Sequence, residues 1–197
     1  MAPIADFVAV LEDYEWPAFP AFSDPFDANQ LENLVSEIYP DLSASIDETI
    51  VEWWSWAGSL NSEVLNDIVV SSEGELLLPL QLAPDGARVG RLAHLLEFLR
   101  IRPFVEKENQ QFFPVLGADH NCLHALRRPS PSEPWQIWFL EREGMDWETP
   151  QRSEEQAPTF EDYLEQITIG LRTGHLIIGD RGGIERAEPP VSYYPWA

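Results

Sequence analysis

The stretch FFPVLGADHNCLHAL, residues 112–126, marks the point where the chain changes from helical to extended periodicity. Phe112 to Leu116 and Cys122 to Leu126 are short apolar runs, separated by Gly, Asp and Asn. A third run of this kind, Trp135 to Glu141, follows an interval rich in Pro and Ser. Short β-branched, aromatic and apolar segments bounded by turn residues are typical of strands. We therefore predict an antiparallel sheet built from these three segments.

Two helices are predicted on the amino-terminal side of the sheet. Asp27 stands where it can cap a helix with one apolar stripe, and Pro40 ends that helix because the residue before a proline avoids the helical conformation. Ser45 with Glu48 matches a capping box, which predicts a second helix over residues 46–57. The strands should therefore pack against at least these two helices.

Two further helices follow from the same signals. Residues 88–101 have a broad apolar face and stop at Pro103. Thr159 with Asp162 caps a helix that Gly174 closes. Helices and strands that do not alternate regularly predict a single-domain α+β fold, with an antiparallel sheet packed against several helices.

The chain ends differ from this domain in composition. Residues 1–27 mix aromatic residues, prolines and acids, which disfavours a continuous helix beyond Glu15 and predicts an acidic arm lying extended on the body. Residues 185–197 are Pro-rich and predict a tail without periodic structure. The predicted organisation is thus an arm over residues 1–27, one domain over residues 28–184 and a tail over residues 185–197.

The charge is distributed unevenly along the chain. The net charge is -22, and the first Lys or Arg is Arg88, so the seventeen Asp and Glu of residues 1–87 have no basic neighbour in their own half. Part of this imbalance is expected to be met by arginines of the second half packing under the first two helices. These are Arg88, Arg91, Arg100 and Arg102. The remainder predicts a basic partner molecule, because net charge governs association more than fold.

Composition also excludes several classes of protein. One Lys among 197 residues disfavours direct binding to nucleic acid or to anionic membranes, which require clustered basic groups. Eight Trp and ten Phe argue against disorder. A single cysteine excludes an internal disulfide framework, and neither a secretory signal nor a membrane-spanning run is present, so we expect a cytoplasmic protein.

The only reactive-looking cluster is His120, Cys122 and His124, which alternate along a predicted strand. Zinc binds such side chains, and a thiol beside imidazoles can be a nucleophile, but one strand cannot complete a tetrahedral site. We interpret these residues as structural, and a metal site would need another ligand such as His175. The glycines of residues 179–183 lack the lysine and hydroxyl of a phosphate loop. We therefore predict no catalytic residues, no cofactor and no enzymatic activity.

The second predicted helix carries the candidate binding surface. Its apolar stripe includes Trp53, while Trp56 lies at the border with a face that bears acids. Trp is enriched among residues that dominate interface energies, so Trp56 is either the edge of the core or a partner-binding anchor. The candidate partner-binding residues are Glu48, Glu52, Trp56, Glu63 and Asp67.

Two stretches resemble the SUKH superfamily, which includes the fungal cell-wall assembly regulator family and bacterial toxin-immunity proteins. YPDLSASIDETIVEWWSWAGSLN, residues 39–61, is similar to the opening signature of that superfamily, in which a dipeptide precedes a helix ending in a small-residue turn. Residues 112–126, followed by WQIWFLERE and APTFEDYLEQI, resemble its strands and terminal helix. The Asp-Gly-x-Gly turn of the family is replaced here by Asp-His-Asn-Cys, residues 119–122.

The resemblance implies a compact α+β domain that acts by binding another protein, with no catalytic residues. The leading hypothesis is an immunity protein that neutralises a cognate basic toxin, of nuclease type, by covering it with an acidic surface. The alternative is a regulatory or scaffold protein of the same fold, of the cell-wall or signalling type, whose terminal arms recruit a partner. The oligomeric state is left open by the sequence.

Overall fold

The computed structural model describes residues 3–15, 27–57, 92, 96, 100, 112–117, 122–128, 130–143, 146–148, 158–178 and 184–187. The helices are α1 (Pro3–Asp13), α2 (Ala28–Ile38), a 3₁₀ helix (Pro40–Ser45), α3 (Glu48–Ala57) and α4 (Phe160–Thr173). The strands are β1 (Phe113–Gly117), β2 (Cys122–Arg127), β3 (Gln136–Glu143), β4 (Asp146–Glu148), β5 (Leu176–Ile178) and β6 (Ile184–Arg186). The predicted α+β fold is confirmed.

The main sheet is antiparallel with the order β1-β2-β3-β4. Its first three strands confirm the three segments predicted from the sequence, and β4 adds a short strand that was not predicted. A separate two-stranded sheet pairs β5 with β6, and β6 ends at Arg186, past the expected domain end at residue 184. The glycines of residues 179–183 and most of the predicted tail lie outside the described residues.

Helix ends follow local capping chemistry. The Asp27 side chain accepts from the backbone N–H of Gln30 at 2.8 Å, and the Gln30 side chain accepts from the N–H of Asp27 at 3.0 Å, which completes a capping box. Thr159 caps α4 through the N–H of Asp162 at 3.0 Å. Gly174 ends the same helix at φ 75, a left-handed conformation that glycine adopts without steric cost. These predicted caps are confirmed.

Helix α3 is fastened to the sheet by two indoles. Trp53 and Trp54 are fully buried, and their Nε1–H groups donate to the carbonyls of Val115 at 3.4 Å and Pro114 at 3.0 Å. Both carbonyls lie at an irregularity in β1, where the pairing with β2 shifts register between Pro114 and Leu116. A proline and a bulge are both tolerated on an edge strand, and the indoles provide donors for its buried carbonyls.

The extended arm expected over residues 1–27 is wrong for Pro3–Asp13, which form helix α1. Phe7 and Leu11 of this helix are fully buried, and the ring of Phe7 stacks on that of Trp53 with 6.3 Å between the ring centroids. Tyr14, just beyond α1, donates its hydroxyl to the carbonyl of Leu171 in α4 at 2.8 Å. Helix α1 therefore belongs to the core of the domain, because its apolar stripe covers α3 and α4. Residues 16–26 lie outside the described residues.

Only three residues of the helix predicted over 88–101 are described, and all three are helical. Leu92 and Leu96 are one turn apart and buried in the same core, whereas Arg100 is exposed. The segment over residues 75–82 lies outside the described part of the chain. None of the described helices combines the length and the apolar character needed to cross a membrane.

Candidate functional site

Three segments that are distant in sequence converge on one pocket beside the start of α3. The start of α4 is held against β3 because Phe160 N–H donates to the carbonyl of Trp135 at 2.8 Å and Ile137 N–H donates to that of Pro158 at 3.1 Å. This arrangement places the first turn of α4 next to the connection between β2 and β3. We call the resulting cavity, of about 120 Å³, the Asp47 pocket; its walls include Asp47, Arg128, Glu133, Trp135, Phe160 and Glu161.

The carboxylate of Asp47 is the centre of this arrangement. It accepts from Ile50 N–H at 3.2 Å, from Trp135 Nε1–H at 2.9 Å to Oδ2, and from Arg128 Nη1 at 2.6 Å. The indole also lies 3.2 Å from Oδ1, so both carboxylate oxygens face the ring nitrogen. The side chains of Arg128 and Asp47 are 19% and 31% exposed, so water screens their ion pair only partly. Asp47 thus joins α3 to the β2–β3 connection.

The position of Asp47 corrects the predicted start of α3. The capping box at Ser45 and Glu48 is wrong, because residues 40–45 form the 3₁₀ helix and α3 begins at Glu48. Asp47 caps α3 instead, through the N–H three residues ahead. Asp is as favourable as Ser at this position, so the sequence contained a signal for the correct cap. It contained none for the partners Arg128 and Trp135.

Arg128 is a basic partner of the acidic amino-terminal half. Its guanidinium carbon lies 4.5 Å from the centre of the Trp135 ring, while Nη1 binds Asp47. A planar cation held by a carboxylate and an aromatic face is a favourable arrangement for arginine. Arg128 was not among the arginines expected in this role, and three of those, Arg88, Arg91 and Arg102, lie outside the described residues.

Two of the predicted partner-binding acids, Glu48 and Glu52, lie on α3 near Glu161 of α4, which was not among the predicted residues. Burial raises the pKa of the Glu52 carboxyl, and the charges of Glu48 and then Glu161 raise it further. Glu48 lies one turn before Glu52 on α3, and Glu161 comes from the first turn of α4. We call these three residues the acidic face. Glu161 also lines the Asp47 pocket, so the pocket and the acidic face are continuous.

Trp56 is placed at the edge of the core. Its ring packs edge-on against those of Phe7 and Trp53, with ring centroids 6.0 Å and 5.3 Å apart. The ring of Trp53 in turn packs edge-on against that of Phe160, with centroids 5.1 Å apart. The side chain is only partly exposed. Trp56 therefore packs between α1 and the rest of α3, while Trp135 and Phe160 line the Asp47 pocket together with Glu133 and Glu161.

The remaining candidate residues lie outside what the structure describes. Glu63, Asp67 and His120 are not among the described residues, and Cys122 and His124 are described only by their backbone in β2, paired with Glu141 and Phe139. Within the described ranges, no group of three or more His, Cys, Asp or Glu side chains is arranged to hold a metal ion. The described residues therefore test neither the predicted structural role of His120, Cys122 and His124 nor the zinc alternative.

Comparisons of the chain with protein-family models, with curated proteins and with solved structures found no match. The resemblance to the SUKH superfamily therefore stays a prediction. The two stretches that carry it correspond to the segment from Tyr39 through α3 and to the β1–β2–β3 sheet followed by α4.

Proposed function

We propose that this chain is a non-enzymatic cytoplasmic protein-binding domain, and specifically an immunity protein that neutralises a basic, nuclease-type toxin by covering its active surface. The observation that carries the proposal is the acidic face. Burial raises the pKa of Glu52, and the charges of Glu48 on the same helix and of Glu161 on α4 raise it further. Repulsion of this kind destabilises the free protein and is relieved when a basic surface docks.

The charge of the whole chain supports the same proposal. A net charge of -22 creates a negative field that attracts a basic protein over long distances and increases association rates by about 10- to 1,000-fold. A nuclease must present Lys and Arg to the phosphates of its substrate, so its active surface complements this field. Rapid capture suits an inhibitor that must act before its target does.

The test begins with a candidate toxin encoded beside this chain, whose activity on nucleic acid is assayed with increasing amounts of the protein. Inhibition that is complete at a one-to-one ratio is expected. The association rate is then measured for wild type and for Glu48→Lys/Glu52→Lys at low and at physiological salt. The variant should associate about tenfold more slowly, and the difference should shrink as salt rises.

The matched control is Glu32→Lys/Glu37→Lys, which changes the net charge equally at two exposed positions of α2. If both double variants slow association to the same extent, only the total charge matters and the acidic face is not the docking surface. A toxin that stays active in a saturated complex would contradict neutralisation, and would favour the regulatory or scaffold alternative. Deleting residues 1–27 would not separate these two hypotheses, because removal of α1 opens the core.

A further inference from the structure

The Asp47 pocket has the composition of a subsite for a single basic side chain. We propose that it receives one arginine side chain of the partner protein, so that the partner's guanidinium enters between Glu133, Glu161 and the aromatic wall. This inference rests on the proposed function, since it names the group by which a basic partner engages the acidic face.

The charges of the pocket walls favour a cation. Asp47 is already bound to Arg128 and Trp135, so its charge is largely balanced within the protein. Glu133 and Glu161 also line the cavity, and neither carboxylate forms an ion pair with the residues that the structure describes. Two negative charges therefore remain for an incoming group. An anion would meet three carboxylates and a single arginine, which makes anion binding unfavourable.

The apolar walls favour arginine over lysine. Trp135 and Phe160 line the cavity with the small part of their rings that is not covered, since they are only 6% and 1% exposed. A guanidinium is planar and weakly hydrated, so it stacks on aromatic rings while donating to carboxylates, whereas an ammonium is a compact and strongly hydrated charge. Arg128 already uses this combination against Asp47 and Trp135 in the same wall.

The size and continuity of the cavity fit the same occupant. About 120 Å³ accommodates the end of one side chain and not a folded element. Because Glu161 belongs both to the pocket and to the acidic face, an arginine in the pocket lies within the same docking surface. The acidic face supplies long-range attraction, and the pocket supplies a specific short-range contact.

The test is a titration of the full chain with a tetra-arginine peptide. Binding is monitored by the NMR signal of the Trp135 indole N–H, which is assigned as the signal that is missing in Trp135→Phe. The expected result is a saturable shift of this signal. Glu133→Gln/Glu161→Gln should weaken binding about tenfold, as expected for the loss of two partly screened charge pairs. The control Glu32→Gln/Glu37→Gln should leave the affinity within about twofold, because these acids lie on α2.

Tetralysine and tetracitrulline peptides complete the test. Tetralysine should bind several-fold more weakly than tetra-arginine at the Trp135 signal, and tetracitrulline should not shift it. Equal binding of either peptide, or an unshifted Trp135 signal at saturating tetra-arginine, would overturn the pocket assignment. If tetra-arginine binding depends on Glu48 and Glu52 and not on Glu133 and Glu161, the pocket fails while the acidic face stands. The proposed function fails separately, when toxin inhibition or its dependence on the acidic face is absent.

Discussion

Replacing Asp47 with alanine tests whether one carboxylate joins α3 to the β2–β3 connection. The substitution removes the cap of α3, the acceptor for the Trp135 indole and the partner of Arg128 at once. Asp27 offers a matched comparison, because it caps α2 through Gln30 at the exposed surface. Asp27→Ala removes a cap alone, whereas Asp47→Ala removes a cap and two tertiary contacts.

The expected magnitudes follow from these contacts. Losing a cap costs about 1 kcal/mol. Losing a hydrogen bond to a charged acceptor, here that of the Trp135 indole, costs about 1.5 to 3 kcal/mol. The Arg128 pair is partly exposed and contributes roughly 0.2 to 1 kcal/mol. Because such terms are not additive, we expect Asp47→Ala to lower the free energy of unfolding by about 3 kcal/mol and Asp27→Ala by about 1 kcal/mol.

The measurement is urea unfolding followed by far-ultraviolet circular dichroism, since the fluorescence of Trp135 changes when its own neighbour is replaced. In thermal unfolding of a domain of this size, about 1 kcal/mol of stability corresponds to roughly 2 to 4 °C in Tm. The Tm of Asp47→Ala should therefore lie several degrees below that of Asp27→Ala. Asp47→Asn keeps an acceptor for the cap and the indole, and should fall between wild type and Asp47→Ala.

Equal losses for Asp27→Ala and Asp47→Ala would refute the reasoning, because Asp47 would then act only as a cap. A double-mutant cycle with Arg128→Met gives a second check, independent of the capping term. Its coupling energy should be about 0.2 to 1 kcal/mol for a partly screened pair. A coupling energy of zero would mean that the ion pair between Asp47 and Arg128 does not stabilise the fold, and that only the hydrogen bond from the Trp135 indole links α3 to the β2–β3 connection.

Three further predictions concern stability. Phe7→Ala should lower the free energy of unfolding, measured in urea, by about 3 to 5 kcal/mol, since the ring is fully buried against Trp53. A loss below about 1 kcal/mol would show that α1 does not contribute to the core. Glu52→Gln should stabilise the protein at neutral pH by about 0.2 to 0.5 kcal/mol through removal of the like-charge pair with Glu48. Because the folded-state pKa of Glu52 is raised, its unfavourable contribution to stability is absent below the unfolded-state pKa and is complete above the folded-state pKa. The stabilisation by Glu52→Gln should therefore vanish in acid. A stabilisation that is independent of pH would contradict this. Gly174→Ala should cost about 1 kcal/mol from its left-handed backbone alone, since no atom lies within 4 Å of the added Cβ, and Gly174→Asn should cost less in the same assay.

Features that depend on neighbouring residues were predictable from the sequence. The caps at Asp27 and Thr159 connect groups three residues apart, and the strand segments follow from the composition of short runs. The stripe of α1 was also readable, with Ile4, Phe7 and Leu11 at helical spacing, and the prolines that follow it led to the wrong prediction of an arm. Strand β4 has three residues, Asp-Trp-Glu, which are too few to show a period.

The sequence by itself located α2, α4 and the strands β1, β2 and β3, because capping and periodicity act over a few residues. It also determined the strong negative charge that the proposed partner must balance. Only the tertiary structure placed Trp56 between α1 and α3, and brought Asp47 to Trp135 across 88 residues and Tyr14 to Leu171 across 157. No local signal encodes such pairs, since they exist only when the buried faces of separate elements are packed together.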